Sequence, residues 1–330
     1  MASNKKNLII TAADINFIDQ AKQLFSSVYF NAGWQGDYLL LTHDLSAEDT
    51  IWFETRGIIV YDQPLVSTLP VGDKKYSPII LSKFYFFQEY FKKWQKIIFL
   101  DADILVYASL DNLLKLTGFN APEAIPLRLR DEFISDKKRL SDLKKSYNLN
   151  SRAFSTGVFV FDTDLIQPDT FSDIISIYNK YEQIYQYGEE SILNLFFYKN
   201  WKMLPMTYNS VPWYLHNFCG LDKDKILAFV VHFVCEKIKP WNSKSLYHEE
   251  WQDNLNRAEE IDLNNRPKAR KILNDQEVAR YLRYVKIKEN TYYIRVLTLG
   301  INKQIGLLGL FIKKKSPKLY SLISFKKDGK

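Results

Sequence analysis

Asp101 and Asp103 stand one residue apart in KIIFLDADILVYASL (96–110), between apolar runs at 97–100 and 104–106. A buried charge is costly unless it is paired or bound to a metal. In extended chain, residues i and i+2 point to the same side, so the two carboxylates can aim together from the end of a strand. Paired oxygens suit a hard divalent cation such as Mg²⁺ or Mn²⁺, which can also hold a substrate's phosphates. The plain alternative is a solvent-exposed Asp-x-Asp at the start of a loop.

Several elements must place that pair. Residues 7–11 (NLIIT), 37–41 (DYLLL), 57–61 (GIIVY) and 96–100 (KIIFL) read as buried strands. Ser46 is an N-cap, with Asp49 three positions on, and 77–92 carries aromatics at helical spacing. Strands alternating with helices predict an α/β fold with a mostly parallel sheet covered on both faces. Open sheets of this kind bind ligands in the crevice outside the carboxyl ends of their strands, where Asp101 and Asp103 fall. Further on, 127–150 is a charged helical insertion or mobile flap, and 153–166 reads as strand, turn and strand. The stretch 187–198 resembles a helix, and WKMLP and AFVVHFV resemble short strands. Charge density rises near 245–265, which divides the chain into 1–250 and a basic, helical extension at 251–330.

Aromatic residues make up 15% of the 330 residues, which fits a large core and also stacking surfaces for planar or sugar ligands; core is the reading adopted. Cys219 and Cys235 are the only cysteines, too few for a disulfide framework and suited to a reducing compartment. The first residues carry no signal-peptide apolar region, and no run approaches the roughly 18 apolar residues of a spanning helix. A cytoplasmic protein is expected. The net charge of +7 is uneven: from Lys286 onward eleven Lys and Arg face Glu289 and Asp328, a balance of +9 that leaves the preceding residues at −2. The basicity belongs to the tail.

Six segments together resemble glycosyltransferase family 8, the group of glycogenin, galactinol synthase and lipopolysaccharide galactosyltransferases. TAADINF (11–17) is similar to its uridine-binding loop, LSKFYFF places Lys83 at its basic donor-side position, and KIIFLDADILV matches its metal-binding strand. FSTGVFVFD (154–162) resembles its FNSGV-type turn, GEESILN (188–194) its GDQ-x-x-LN segment, and HFVCEKIKPW (232–241) its late His…KPW loop. The landmarks occur in family order across residues 7–242.

The resemblance implies a GT-A type, Rossmann-like fold and a retaining, Mn²⁺-dependent transfer of a hexose, glucose or galactose, from a UDP-sugar; Mg²⁺ is the alternative metal. It implies that Asp101, Asp103 and His232 hold the metal, and that Lys83 and Lys239 add point charges to the diphosphate. Thr11, Ala12, Ala13, Asp14 and Asn16 would line the nucleoside, with Ala102 beside the metal carboxylates. Ser155, Thr156 and Gly157 would line the donor-sugar pocket, where Glu189 would bond a sugar hydroxyl. Glu190, Glu189 and Lys83 form the catalytic set. On the residues alone, His232 reads as a core histidine, Lys83 as a solvated lysine, Gly157 as a turn former and Glu190 as a helix-start acid favoured by the dipole.

Three departures stand out. The FNSG turn reads Phe154-Ser155-Thr156-Gly157, so a hydroxyl replaces its amide. Cys235 or Glu236 occupies the region of a Gly that usually follows the late His, in a loop of galactinol synthase-like length. Glu190 stands where relatives usually carry Gln, so a carboxylate that can act as nucleophile or stabilise an oxocarbenium-like transition state enters the site.

In the tail, Leu297, Ile301, Ile305, Leu308 and Ile312 recur at helical spacing among lysines. That pattern fits a helix on an anionic membrane, which would place the protein peripherally at the inner membrane face beside a lipid-linked glycan acceptor. It equally fits a helix packed on the protein's own core. No nucleic-acid motif accompanies the charge. Two rival functions are a non-catalytic nucleotide-sugar or glycan binder and a phosphohydrolase that uses the same Asp-x-Asp.

Overall fold

The computed structural model describes residues 5–72, 75–134, 137–292, 309 and 312–317. The strands are β1 (Leu8–Ala12), β2 (Asp37–Thr42), β3 (Ile59–Asp62), β4 (Lys96–Leu100), β5 (Ile104–Val106), β6 (Phe119–Arg128), β7 (Arg152–Phe154), β8 (Val158–Asp162), β9 (Trp201–Leu204) and β10 (Val230–His232). Eight of them form one sheet in the order β3-β2-β1-β4-β8-β6-β7, with β9 paired to β6. The pairs β2–β3, β1–β2, β1–β4 and β6–β9 are parallel, while β4–β8, β6–β8 and β6–β7 are antiparallel. The result is the mixed, mostly parallel, helix-flanked sheet expected.

Alternation along the strands explains their unbroken apolar runs. Leu8, Ile10, Leu39, Leu41, Ile97 and Phe99 face one core, which also holds Phe84, Phe86, Phe87, Phe119, Phe159 and Phe161. Ile9, Tyr38, Leu40, Ile98 and Leu100 face the other, beneath the helix Ile18–Ser27. A strand covered on both sides has no polar face to show. The aromatic excess is thus largely core.

Segments differ from expectation where tertiary packing overrides the local pattern. Residues 77–92 form two runs of 3₁₀ turns, Pro78–Phe87 and Glu89–Lys93, separated by an extended Gln88. In the first run the side chains from Leu81 to Phe87 are all buried, so no amphipathic α-helix is favoured there. Ser46 caps the helix Ala47–Thr55 as expected, with Asp49 N–H donating to its Oγ at 3.0 Å.

Chain on both sides of residue 250 shares this core. Ala258, Ile261, Leu273 and Val278 pack with β1 and β4 residues. The helix Asp275–Asn290 starts on an Asn274–Glu277 capping box, and Tyr281, Val285 and Tyr292 pack against Leu215 and Phe218. The apolar stripe anticipated at 297–308 lies outside the described residues. Of the lysines after it, Lys313 pairs with Asp131 at 3.1 Å, while Lys314 and Lys315 face Glu289. These three are ion-paired to the body of the protein. Among the described residues, no helix is long and apolar enough to cross a membrane.

Candidate active site

At the carboxyl end of β4 the chain leaves the sheet, and two junctions meet. Leu100 pairs with Val158 of β8, and Asp101 N–H donates to Gly157 C=O at 2.9 Å. The Asp-x-Asp and the Ser-Thr-Gly turn are therefore hydrogen-bonded neighbours. Residues 104–106 then form β5, which pairs antiparallel with β10 so that His232 lies opposite Ile104. That short ribbon carries the histidine across more than a hundred residues of sequence to the two aspartates.

The resulting cluster is compact. Ligand atoms of Asp101, Asp103 and His232 all lie within 4.8 Å of one another. His232 Nε2 is 3.1 Å from Asp103 Oδ1 and 3.8 Å from Asp101 Oδ2. Its Nδ1 meets Asn209 Oδ1 at 2.8 Å, so Nδ1 carries a proton and Nε2 faces the carboxylates, where it gives its lone pair to a metal once it is unprotonated. Three electron-rich atoms converging in this way suit a shared divalent cation, and nitrogen plus carboxylate oxygens suit Mn²⁺ and related metals. The group fits.

Two lysines frame it. Lys83, buried to 3% exposure, donates to Glu189 Oε1 at 2.7 Å and lies 2.9 Å from Asp101 Oδ1 and 4.6 Å from the Phe99 ring centroid. Burial opposes its charge, but Asp101 and Glu189 hold its pKa above the ordinary value. The solvated-lysine reading is overturned. Lys239 donates to Asp103 Oδ2 and to Phe233 C=O, each at 2.7 Å. Burial pushes Asp101 upward. It acts the same way on Asp103, yet His232 and Lys239 pull that carboxyl well below its usual range.

Gly157 serves for space as well as for the turn. A Cβ there would lie 2.2 Å from His232 Cε1 and 3.2 Å from Asp101 Oδ2. Only glycine lets the imidazole close on the aspartates.

The second half of the site hangs on Thr156. Its Oγ1 lies 2.8 Å from Glu189 Oε1 and 3.3 Å from Glu190 Oε2, and its N–H donates to Glu190 Oε2 at 2.9 Å. Both acids open the helix Glu189–Phe196, which follows Gly188 at φ +68°. A hydroxyl has one proton, and Glu189 is the nearer acceptor. Burial raises Glu190 to about 7 against the pull of the Thr156 N–H, and Glu189 adds repulsion. Asn194 anchors the helix to β7 by exchanging hydrogen bonds with Phe154 N–H and C=O at 2.9 and 2.8 Å.

The nucleoside set sits at the end of β1. The Thr11 side chain is fully buried and Ala13 nearly so, Ala12 is partly covered, and Asn16 is exposed. Asp14 caps the turn Ile15–Phe17 through Asn16 N–H and accepts from Ser77 Oγ at 2.7 Å. Ala102 is buried between the two aspartates, and Ser155 Oγ accepts from Gly157 N–H at 3.3 Å. Direct contacts thus join Asp101, Asp103, His232, Lys83, Lys239, Gly157, Thr156, Glu189 and Glu190.

Two participants escaped the sequence reading. Asn209, which orients His232, follows the 3₁₀ turn Met206–Tyr208 and has no spacing signal. Glu132 is fully buried beside the helix of Glu190, with Ser191 Oγ donating to its C=O at 2.8 Å. Burial and then Glu190 push its carboxyl well above the ordinary range. A charged stretch such as 127–150 gave no reason to place that acid inside.

Comparison with known proteins agrees with this geometry. The family model described as glycosyl transferase family 8 matches residues 16–245. Glycosyltransferase GlyF of Streptococcus pneumoniae serotype 4 is 23% identical over 261 residues, covering 73% of this chain and 58% of that protein. Galactinol synthase 5 of Arabidopsis thaliana is 28% identical over 169 residues, 46% of this chain and 47% of the plant protein. The chain thus spans less than two thirds of the length of these curated relatives. The solved galactosyltransferase LgtC, in complex with donor and acceptor sugar analogs, superposes with a TM-score of 0.59 at 17% identity, over 76% of this chain and 95% of LgtC. At that identity the likeness is one of fold, the GT-A type.

Proposed function

This chain belongs to glycosyltransferase family 8, and we propose that it is a retaining enzyme moving a hexose from a UDP-sugar to a saccharide or lipid-linked glycan, with Mn²⁺ or Mg²⁺ as its metal. The observation that carries the proposal is the convergence of Asp101, Asp103 and His232 between Lys83 and Lys239. The names galactosyltransferase and galactinol synthase among its relatives put galactose first among the donors to try, with glucose second.

Asp101, Asp103 and His232 would hold the metal. When bound there, it supplies Lewis-acid neutralisation of the charge that grows on a diphosphate leaving group. Lys239 uses two of its three ammonium protons on Asp103 and Phe233, so one remains to meet a phosphate oxygen. Lys83 ties Asp101 to Glu189, which fixes the metal side of the site relative to the sugar side. Thr156 aligns the two acids: Glu189 is held by Lys83 and poised for a sugar hydroxyl, while Glu190 is the carboxylate available to an electron-poor anomeric centre once ionised. The β1 turn around Asp14 forms the nucleoside end.

Release of UDP from UDP-galactose, UDP-glucose and UDP-N-acetylhexosamines, with Mn²⁺ or with a chelator, tests the reading. Metal-dependent release from a UDP-hexose supports it. Tight nucleotide-sugar binding without turnover on any acceptor would instead make the protein a binder. Peripheral membrane association through 286–330 is part of the proposal; equal liposome co-sedimentation with and without that tail would remove it.

A further inference from the structure

The β5–β10 ribbon has a second face. Opposed residues of an antiparallel pair share a side, and neighbours along a strand alternate. His232 and Ile104 therefore face the metal cluster side, while Val231 and Leu105 face away from it. On that reverse side they pack with Tyr247 and Trp251 in a separate small cluster. An open cleft of about 590 Å³ lies against it, with Ala228 and Val231 contributing apolar lining and Tyr107 and Tyr247 aromatic lining. That volume lies within the roughly 300–1,000 Å³ usual for ligand sites.

The polar groups of the cleft are built rather than incidental. Lys223 is fixed by Glu250 Oε2 at 2.6 Å, by Leu246 C=O at 2.7 Å and by the Tyr247 ring at 4.8 Å. The Tyr107 hydroxyl also turns to Glu250 Oε2, at 3.4 Å. Tyr247 is 7% exposed, and its hydroxyl is buried with no hydrogen-bond partner among the described residues. The lining charges have both signs: Lys223 and Lys271 against Asp222, Asp224 and Glu250. A polyanion would meet three carboxylates there, and a polycation two ammonium groups.

We infer that this reverse-face cleft is a second binding site, for a neutral saccharide segment. The half-buried Tyr107 ring accepts the C–H face of a sugar, while carboxylates and ammonium groups accept and donate to its hydroxyls, with no net charge required. The site is separated from the metal cluster by the thickness of the ribbon, so it holds glycan without taking part in transfer. A glycan retained at one site raises its effective concentration at another.

The test uses the full chain, labelled fluorescently and applied to an array of neutral and acidic glycans in chelator without nucleotide. Because neither metal nor donor is present, failure here is distinguishable from failure of the transferase reading. Binding to neutral glycans is expected, falling by at least about tenfold in L246D and in D224A. Leu246 is 77% exposed and Asp224 is also at the surface, so neither change disturbs the core; matching thermal melts would verify that. A silent array, binding confined to acidic glycans, or binding indifferent to both substitutions would each overturn the inference.

Discussion

His232 Nε2 lies 3.1 Å from Asp103 Oδ1 while its Nδ1 is held at 2.8 Å by Asn209 Oδ1. One hydrogen bond on the far side of the ring therefore decides which atom faces the aspartates. Replacing Asn209 with Ala should weaken Mn²⁺ binding by about 10–100-fold, read by metal titration in the absence of donor. Unchanged affinity would mean that the ring is oriented by packing alone.

Gly157 is the space through which that ring approaches. Gly157→Ala should push the imidazole off the aspartates, because its methyl would lie 2.2 Å from Cε1. Overpacking of this sort costs about 1–3 kcal/mol, so the variant should melt lower yet still fold. Mn²⁺ affinity should drop at least tenfold, by analogy with the loss of an orienting partner. Wild-type metal binding would contradict the geometry.

Lys83 neutralises Asp101 and Glu189 in a buried setting. Lys83→Met should destabilise the protein by about 3–5 kcal/mol, because it leaves the buried Glu189 and the half-buried Asp101 without their cation. Lys83→Arg should restore the charge and only part of the activity, since a planar fork cannot reproduce both contacts of a point charge. Chemical denaturation and donor turnover read the two effects separately.

Glu190 carries the pH prediction. With its pKa raised from 4.5 to about 7 by burial, the folded state keeps a proton that the unfolded state has lost. Stability should therefore fall as pH rises from about 4.5 to about 7 and then level off, by roughly 1–3 kcal/mol. Glu190→Gln should reduce that slope, leaving the share that buried Glu132 contributes. If the ionised carboxylate serves the reaction, donor kcat/KM should climb through about pH 7 in the wild type, and the limb should vanish in the Gln variant. Near-normal turnover of Glu190→Gln would end the nucleophile proposal.

Chelation supplies a direct check on the metal. Removing divalent cations should abolish UDP release and raise the pH sensitivity of folding, because Asp101 and Asp103 then face each other with only Lys83, His232 and Lys239 to balance them. Restoration by Mn²⁺ and by Mg²⁺, compared side by side, ranks the two.

Much of this was legible in order along the chain. Continuous apolar runs at 38–41 and 97–100 announced strands buried on both faces, because a doubly covered strand has no polar side to alternate. The capping of 47–55 by Ser46 is a local event, and local sequence decided it. The helix expected at 77–92 failed because burial of every side chain from Leu81 to Phe87 removed the amphipathic contrast that an α-helix needs.

By itself the sequence determined the inventory: an Asp-x-Asp at a strand end, a late histidine, a turn with glycine, and paired acids at a helix start. The tertiary structure decided the relationships. It set the Ser-Thr-Gly turn against the Asp-x-Asp through the β4–β8 register and carried His232 to the aspartates on the β5–β10 ribbon. It also buried Lys83 between Asp101 and Glu189 and put Glu132 beside the helix of Glu190. Spacing along a chain encodes which face a side chain takes, but not which distant face it meets. That meeting is settled by strand order and register, which depend on the whole sheet at once.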